Sequence, residues 1–131
     1  MTGLDTNILV RYLTEDDPAQ TTAAGRVMDS FSPDSQGFIS LIVLAELVWV
    51  LESLYRFTKK EIEQVLETLL RSEELVLERA EIVSQALRMF RASRADFADC
   101  LIERSGHAAD CEHTVTFDRK AAAGTGMRLL H

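Results

Sequence analysis

Two aspartates in this sequence stand directly at the end of apolar segments. Asp5 interrupts the apolar start MTGLDTNILV, and Asp118 follows the β-branched run HTVTF at 113–117. An aspartate at such a point is most often a turn former or a helix cap, and a carboxylate without a partner is costly in apolar surroundings. Two predicted strands that end in the same way, however, suggest that both carboxylates serve one site.

Glu46 is an acidic residue inside the apolar run LIVLAELVWVL at 41–51. Residues three or four positions away are its neighbours on a helix, and those positions hold Ile42, Val43, Trp49 and Val50. None of these side chains can neutralise a carboxylate. Either Glu46 lies at a helix edge and reaches solvent, or its partner comes from elsewhere in the fold.

A third acidic position is the pair Asp96 and Asp99, which share one face of a predicted helix. A structural explanation is available for both. Asp96 can be the N-cap that accepts the Asp99 backbone N–H, and Asp99 can be a first-turn acid favoured by the helix dipole. Capping by Asp96 would compete with metal binding, whereas Asp99 lies inside the helix. We therefore expect Asp99 to be the functional acid and Asp96 to cap the helix or to support a metal-bound water.

Convergence of Asp5, Glu46, Asp99 and Asp118 would require a cation. Like charges about 4 Å apart repel by about 4 kcal/mol per pair at an effective dielectric constant of about 20. Oxygen-only ligands suit Mg²⁺ or Mn²⁺ better than zinc, and metals held by carboxylates at a sheet edge typically serve phosphoryl chemistry. The acids therefore predict a site for one or two Mg²⁺ or Mn²⁺ ions.

Alternating strands and helices must position these acids. Capping signals at Asp17-Pro18 and at Thr58–Glu61 begin two of the helices. Helices are predicted over about 18–30, 41–56, 58–71, 80–92 and 96–106, and strands before Asp5 and at 37–40, 73–78, 113–117 and 127–130. This alternation predicts one domain over 1–131, an α/β fold with a three-layer α/β/α sandwich and a mainly parallel, roughly five-stranded sheet.

Composition limits the classes of partner. The 131-residue chain is 47% hydrophobic with a net charge of −7, which argues against binding nucleic acid through a broad basic face. The longest apolar run, at 41–51, is too short for a membrane span and contains Glu46. The two cysteines of the chain are too few for a disulfide scaffold, and we expect the protein to be cytoplasmic.

Four motifs carry a family resemblance. LDTNILVRYL, Glu46 in VLAELVWVL, DFADCLI and TVTFDRK together resemble PIN-domain proteins, specifically VapC-type toxins. The resemblance spans residue 3 to the C-terminus and assigns Asp5, Glu46, Asp99 and Asp118 to the four family acids. One departure is the pair Glu103-Arg104, where small residues are common in the family.

The resemblance implies an Mg²⁺- or Mn²⁺-dependent endoribonuclease that cleaves single-stranded RNA and is inhibited by a cognate VapB-type antitoxin. It also implies a homodimer, with DNA contacted only through the antitoxin and no association with a membrane. Trp49, Tyr55 and Phe57 are candidates for partner contacts, although core packing could also explain them. Substrate contacts are expected from Thr6, Asn7, Arg11, Thr116 and Arg119.

Other functions fit the sequence less well. A haloacid-dehalogenase-like phosphatase would have D-x-D where this chain has Asn7, and no glycine-rich phosphate loop is present. A zinc site would need Cys100, His107, Cys111 and His113, whose spacing matches no common structural pattern. The remaining alternative is a catalytically weak PIN-fold binding module that acts through its complex with antitoxin and DNA.

Overall fold

Seven helices and five short strands make up the chain, and the computed structural model describes all residues 1–131. They divide into two compact units, Met1–Glu78 and Arg79–His131, each with its own sheet and helices. The prediction of one domain over the whole chain stays a prediction. None of the helices has the length and apolar character needed to cross a membrane.

The first unit is built on a parallel sheet of three strands in the order β1-β2-β3. Its strands are β1 (Thr2–Gly3), β2 (Gly37–Ile39) and β3 (Leu75–Leu77). Its helices are α1 (Thr6–Thr14), α2 (Pro18–Asp29), α3 (Leu41–Ser53) and α4 (Lys59–Arg71). Two helices connect each strand to the next, which is the crossover arrangement that parallel strands require.

Local capping begins three of these helices where the sequence predicts it. The Asp17 carboxylate accepts the Gln20 N–H before α2, and Ser40 accepts the Val43 N–H before α3. Thr58 and Glu61 form the complete reciprocal capping box of α4. Each cap satisfies backbone donors that the first helical turn leaves unpaired, which fixes the helix start.

The core of the first unit consists mainly of aliphatic side chains, most of them from β2, α1, α3 and α4. Buried side chains include Leu9, Ile39, Leu44, Leu47, Leu51, Ile62 and Leu66. On α4 the buried positions Ile62, Leu66 and Leu69 recur at three- and four-residue intervals, so that one apolar stripe faces the core. This packing holds the end of β1 and the middle of α3, where Asp5 and Glu46 lie.

The second unit combines three helices with a parallel pair of strands. It contains α5 (Ala80–Ala92), α6 (Phe97–Ala108), β4 (Val115–Thr116), α7 (Arg119–Thr125) and β5 (Arg128–Leu129). Phe90 and Phe97 meet edge to face, with ring centroids 5.9 Å apart and planes at 80°. This aromatic pair, buried with Val83 and Cys100, joins α5 to α6.

The α/β class and the parallel pairing are confirmed, but the sheet differs from the prediction. The strands form one sheet of three and one of two, in place of a single sheet of roughly five. Only the central residues of the predicted strands pair: two of HTVTF and three of EELVLE. The sequence analysis also lacked α7, although its alanines and the left-handed C-cap at Gly126 are typical helix signals.

Gly124 on α7 provides a test of packing in the second unit. A Cβ at this position would lie 2.6 Å from Ala95 Cβ and 3.0 Å from the Ala95 backbone N. Gly124→Ala is therefore expected to lower the free energy of unfolding by about 1–3 kcal/mol, because neither contacting group is a flexible side chain. Urea denaturation measures the loss.

Gly25→Ala in α2 is the matched control, since a Cβ there meets nothing within 4 Å. Alanine in an open helical position should add about 0.5–1 kcal/mol to the free energy of unfolding. Equal stability of the two variants would show that Ala95 yields easily and that Gly124 is not a packing constraint.

Candidate functional site

Asp5 connects the end of β1 to the start of α1 in the first unit. Its Oδ1 accepts the Thr6 backbone N–H at 2.8 Å, so the residue is the N-cap of α1. Leu4, the residue between the strand and the cap, donates its N–H to the Phe38 carbonyl. The carboxylate is exposed and its second oxygen has no partner within the protein, so that oxygen is available to a ligand.

Glu46 finds its partner on another helix. The buried Thr6 hydroxyl of α1 donates a short hydrogen bond to Glu46 Oε1 on α3. This contact links residues that are 40 positions apart. Thr6 thus contacts Asp5 through its backbone N–H and Glu46 through its hydroxyl. Thr6, predicted from the resemblance as a substrate contact, therefore also orients one of the family acids.

Arg11 is held by neighbouring side chains of the first unit. Its Nε donates to Gln20 at 2.6 Å, and one terminal nitrogen donates to Asp16 at 2.8 Å and to the Tyr55 hydroxyl at 3.3 Å. Tyr55 in turn donates to Asp16 at 2.7 Å. That hydrogen bond, followed by the one from Arg11, lowers the pKa of Asp16. Asn7 is exposed and has no such partner.

In the second unit Asp118 has the role that Asp5 has in the first. It follows β4 and caps α7, with Oδ1 accepting the Ala121 N–H at 3.0 Å. Its own N–H donates to the Thr116 hydroxyl at 3.0 Å. Thr116, another predicted substrate contact, thus fixes the backbone at the capping aspartate. Arg119 is exposed and unpaired at the start of α7.

Asp99 lies half-buried in the first turn of α6. Burial raises the pKa of Asp99, and the negative charges of Asp96 and Asp118 raise it further. The structure therefore brings these three acids close enough to interact electrostatically, as the sequence analysis expected for Asp96 and Asp99. Lys120 is the one cation that opposes this effect on Asp99.

Asp96 does not act as the predicted helix cap. It occupies the N-cap position of α6, but its side chain makes no capping hydrogen bond. Asp96 Oδ1 instead accepts Lys120 Nζ at 3.1 Å. The expectation that the carboxylate returns to the Asp99 N–H is therefore wrong, because an ammonium group competes for the same oxygen.

The donors fit a hard cation by their chemistry. Asp5 and Glu46 in the first unit, and Asp99 and Asp118 in the second, are all carboxylates, and oxygen-only donors are typical for Mg²⁺ and Mn²⁺. Burial raises the pKa of Asp99 first, and the like charges of Asp96 and Asp118 add to the effect. No group of three or more His, Cys, Asp or Glu side chains is itself arranged to hold a metal ion.

Comparison with known families identifies the family to which this chain belongs. The family model of the PIN domain matches residues 4–124. The chain belongs to the PIN-domain family. It is also similar to a VapC ribonuclease of Aquifex aeolicus (strain VF5), with 25% identity over 117 residues, which cover 89% of this chain and 87% of that protein.

Sequence reasoning did not find the side chains that pair with Arg11 and with Asp96 in this PIN domain. Asp16 and Tyr55 could not be found locally, because they are 39 residues apart. Lys120 did have a signal. A lysine in the first turn of a helix opposes the helix dipole, so its presence directly after Asp118-Arg119 indicates a nearby negative partner.

Asp99 generates a test that needs no metal. Its folded-state pKa is raised, so its contribution to stability is complete below its ordinary pKa of about 3.9. That contribution is lost as the pH rises through the folded-state value. In EDTA at neutral pH, Asp99→Asn should therefore melt at a higher temperature than the wild type, and the difference should shrink as the pH falls toward 4.

Asp110→Asn is the control, because Asp110 is exposed and has no ion pair. Its backbone is left-handed, with φ of 65°, and asparagine tolerates that conformation as well as aspartate does. A stabilisation of Asp110→Asn as large as that of Asp99→Asn would mean that the effect reflects only the reduced net charge.

Proposed function

We propose that this PIN domain is an Mg²⁺- or Mn²⁺-dependent endoribonuclease. It hydrolyses phosphodiester bonds in single-stranded RNA, acts in the cytoplasm, and is the toxin of a type II toxin–antitoxin pair inhibited by a VapB-type antitoxin. The observation that supports this most directly is the pair of capping aspartates, Asp5 and Asp118. Each uses one oxygen as a helix cap and keeps the other free.

The family resemblance supports joint action of the four acids Asp5, Glu46, Asp99 and Asp118. When bound, one or two divalent ions would polarise the scissile phosphate and lower the pKa of an attacking water. The protein's part is to hold the carboxylates ready. Thr6 orients Glu46 through its hydroxyl, and the caps fix Asp5 and Asp118 against their helices.

Substrate contacts must be local, because the net charge is −7. Arg119 directly follows Asp118, Asn7 comes two residues after Asp5, and both are exposed, which supports their proposed contacts with the RNA backbone. Arg11 already has three hydrogen-bond partners, so a phosphate would have to bind the N–H groups of Arg11 that these partners leave unused. For Thr6 and Thr116, a substrate contact would add to their hydrogen bonds with the acids.

A groove in the first unit supports the proposed antitoxin contact. It has a volume of about 510 Å³ and lies between α1, the end of α2 and α4. Its lining combines the aromatic side chains of Tyr12, Phe31 and Phe57 with the acids Asp29, Glu61 and Glu74, and includes no lysine or arginine. This composition suits an amphipathic segment that carries basic residues, and we propose that the antitoxin supplies it.

The end of α3 supports the proposed homodimer. Trp49 and Leu54 are 61% and 67% exposed, which core packing does not explain. Large apolar side chains at adjacent turns commonly mark a protein contact. We propose that a second copy of the chain covers them.

Cleavage of total RNA in Mg²⁺ or Mn²⁺ tests the proposed function. Asp5→Asn should reduce cleavage by about 100-fold or more, since even partners of metal ligands are worth about 10–100-fold. Asparagine is as good an N-cap as aspartate, so the variant should keep its melting temperature in EDTA. End mapping of the fragments identifies the cut sites.

Undiminished cleavage by Asp5→Asn, or by the wild type in excess EDTA, would contradict a metal-dependent nuclease. Absence of cleavage by the wild type, combined with tight binding to an antitoxin–DNA complex, would favour the catalytically weak binding module. Asp34→Asn, an exposed acid outside the family motifs, controls for the change in charge.

Light scattering at rising protein concentration tests the dimer. The wild type should reach twice the mass of the 14.7 kDa chain, and Trp49→Ser should raise the dissociation constant by about tenfold or more, the usual weight of a buried tryptophan in an interface. Phe117→Ser is the control, since Phe117 is an aromatic residue of similar exposure in the second unit. A wild type that remains monomeric at high concentration refutes the dimer.

A further inference from the structure

Lys120 is the cation that pairs with Asp96 in the second unit. Its Nζ lies 3.1 Å from Asp96 Oδ1, and the side chains of Lys120 and Asp96 are 58% and 63% exposed. Its positive charge also acts on Asp99, against the effects of Asp96 and Asp118. One exposed ammonium therefore pairs with Asp96 and acts on the neighbouring Asp99.

The location of Lys120 is not explained by the helix that carries it. Lys120 is the second residue of α7, and a cation in the first turn of a helix opposes the dipole. Arg119, directly before it, forms no ion pair. Helix formation therefore gives no reason for Lys120 to point toward Asp96, whereas the carboxylates do.

We propose that Lys120 is an intramolecular counter-ion that competes with the divalent cation for the acids Asp96, Asp99 and Asp118. In the metal-free protein the ammonium, held at Asp96, offsets part of the repulsion among the three carboxylates. When a divalent ion binds to Asp99 and Asp118, the ammonium and the ion repel each other, and Lys120 withdraws into solvent. Asp96 is then the anchor of this counter-ion. The inference rests on the proposed metal-dependent function and concerns how tightly the metal is held.

The expected effect is moderate. A divalent ion and an ammonium about 6 Å apart, in a highly solvated setting, repel enough to weaken metal binding by about threefold to tenfold. Because Lys120 is well exposed, its replacement should leave the fold intact. The same replacement should destabilise the metal-free protein, since the acids then lose their nearest positive charge.

Calorimetric titration of the full chain with Mn²⁺ tests the proposal. Lys120→Gln should tighten the Mn²⁺ dissociation constant by about threefold to tenfold, while Lys120→Arg should stay close to the wild type because the charge is kept. Arg94→Gln is the matched control. Arg94 is two residues from Asp96 and exposed, with no ion pair, so its loss should change the constant by less than about twofold. In EDTA, Lys120→Gln should melt below Arg94→Gln.

An Asp96→Asn background tests whether Asp96 anchors the lysine. In that background the effect of Lys120→Gln on Mn²⁺ affinity should shrink to about twofold or less. The difference between the two backgrounds is the coupling that a direct ion pair produces in a double-mutant cycle. An undiminished effect would overturn the role of Asp96.

The remaining outcomes separate this inference from the proposed function. Equal Mn²⁺ affinities of Lys120→Gln and Arg94→Gln, with clear binding by the wild type, would overturn the counter-ion and leave the nuclease proposal standing. Weaker binding by Lys120→Gln would make the lysine a supporting residue and also overturn the counter-ion. No Mn²⁺ binding by the wild type would overturn both proposals.

Discussion

The structure depends on aspartates that serve two needs at one point of the chain. At the end of a parallel strand, the first N–H groups of the following helix need an acceptor, and a short carboxylate side chain supplies it. Asp5 does this between β1 and α1, and Asp118 does it between β4 and α7. Because each cap uses a single oxygen, the backbone itself orients a carboxylate whose other oxygen faces outward.

Each of the remaining acids is accommodated in a different way. Glu46 accepts a hydrogen bond from the hydroxyl of the buried Thr6, and Asp96 accepts one from the ammonium of Lys120. Asp99 remains half-buried beside two like charges. Ionisation of Asp99 therefore costs the fold stability. Such strain is common where a protein keeps charged groups for function and accepts a loss of stability.

The accuracy of the sequence predictions followed the range of the interactions. The starts of α2, α3 and α4 were predictable because caps act within three residues. The Thr6–Glu46 contact could not be predicted, since the two residues are 40 positions apart and only folding brings them together. Strand lengths were overestimated because β-branched runs show which residues prefer extended backbone and do not show which of them find a partner. The capping hydrogen bond expected of Asp96 is absent, and the prediction failed because the local capping rule took no account of a lysine on another helix.

Trp49 adds an optical consequence to this arrangement. It is the chain's single tryptophan, it is mostly exposed to water, and it lies three positions after Glu46 on α3. Indole emission depends on the polarity and the charges around the ring, so the tryptophan emission of the unmodified protein comes from one known position near a family acid. Changes in emission on adding an ion, an oligonucleotide or a second protein can thus be assigned to the neighbourhood of Glu46 without any label.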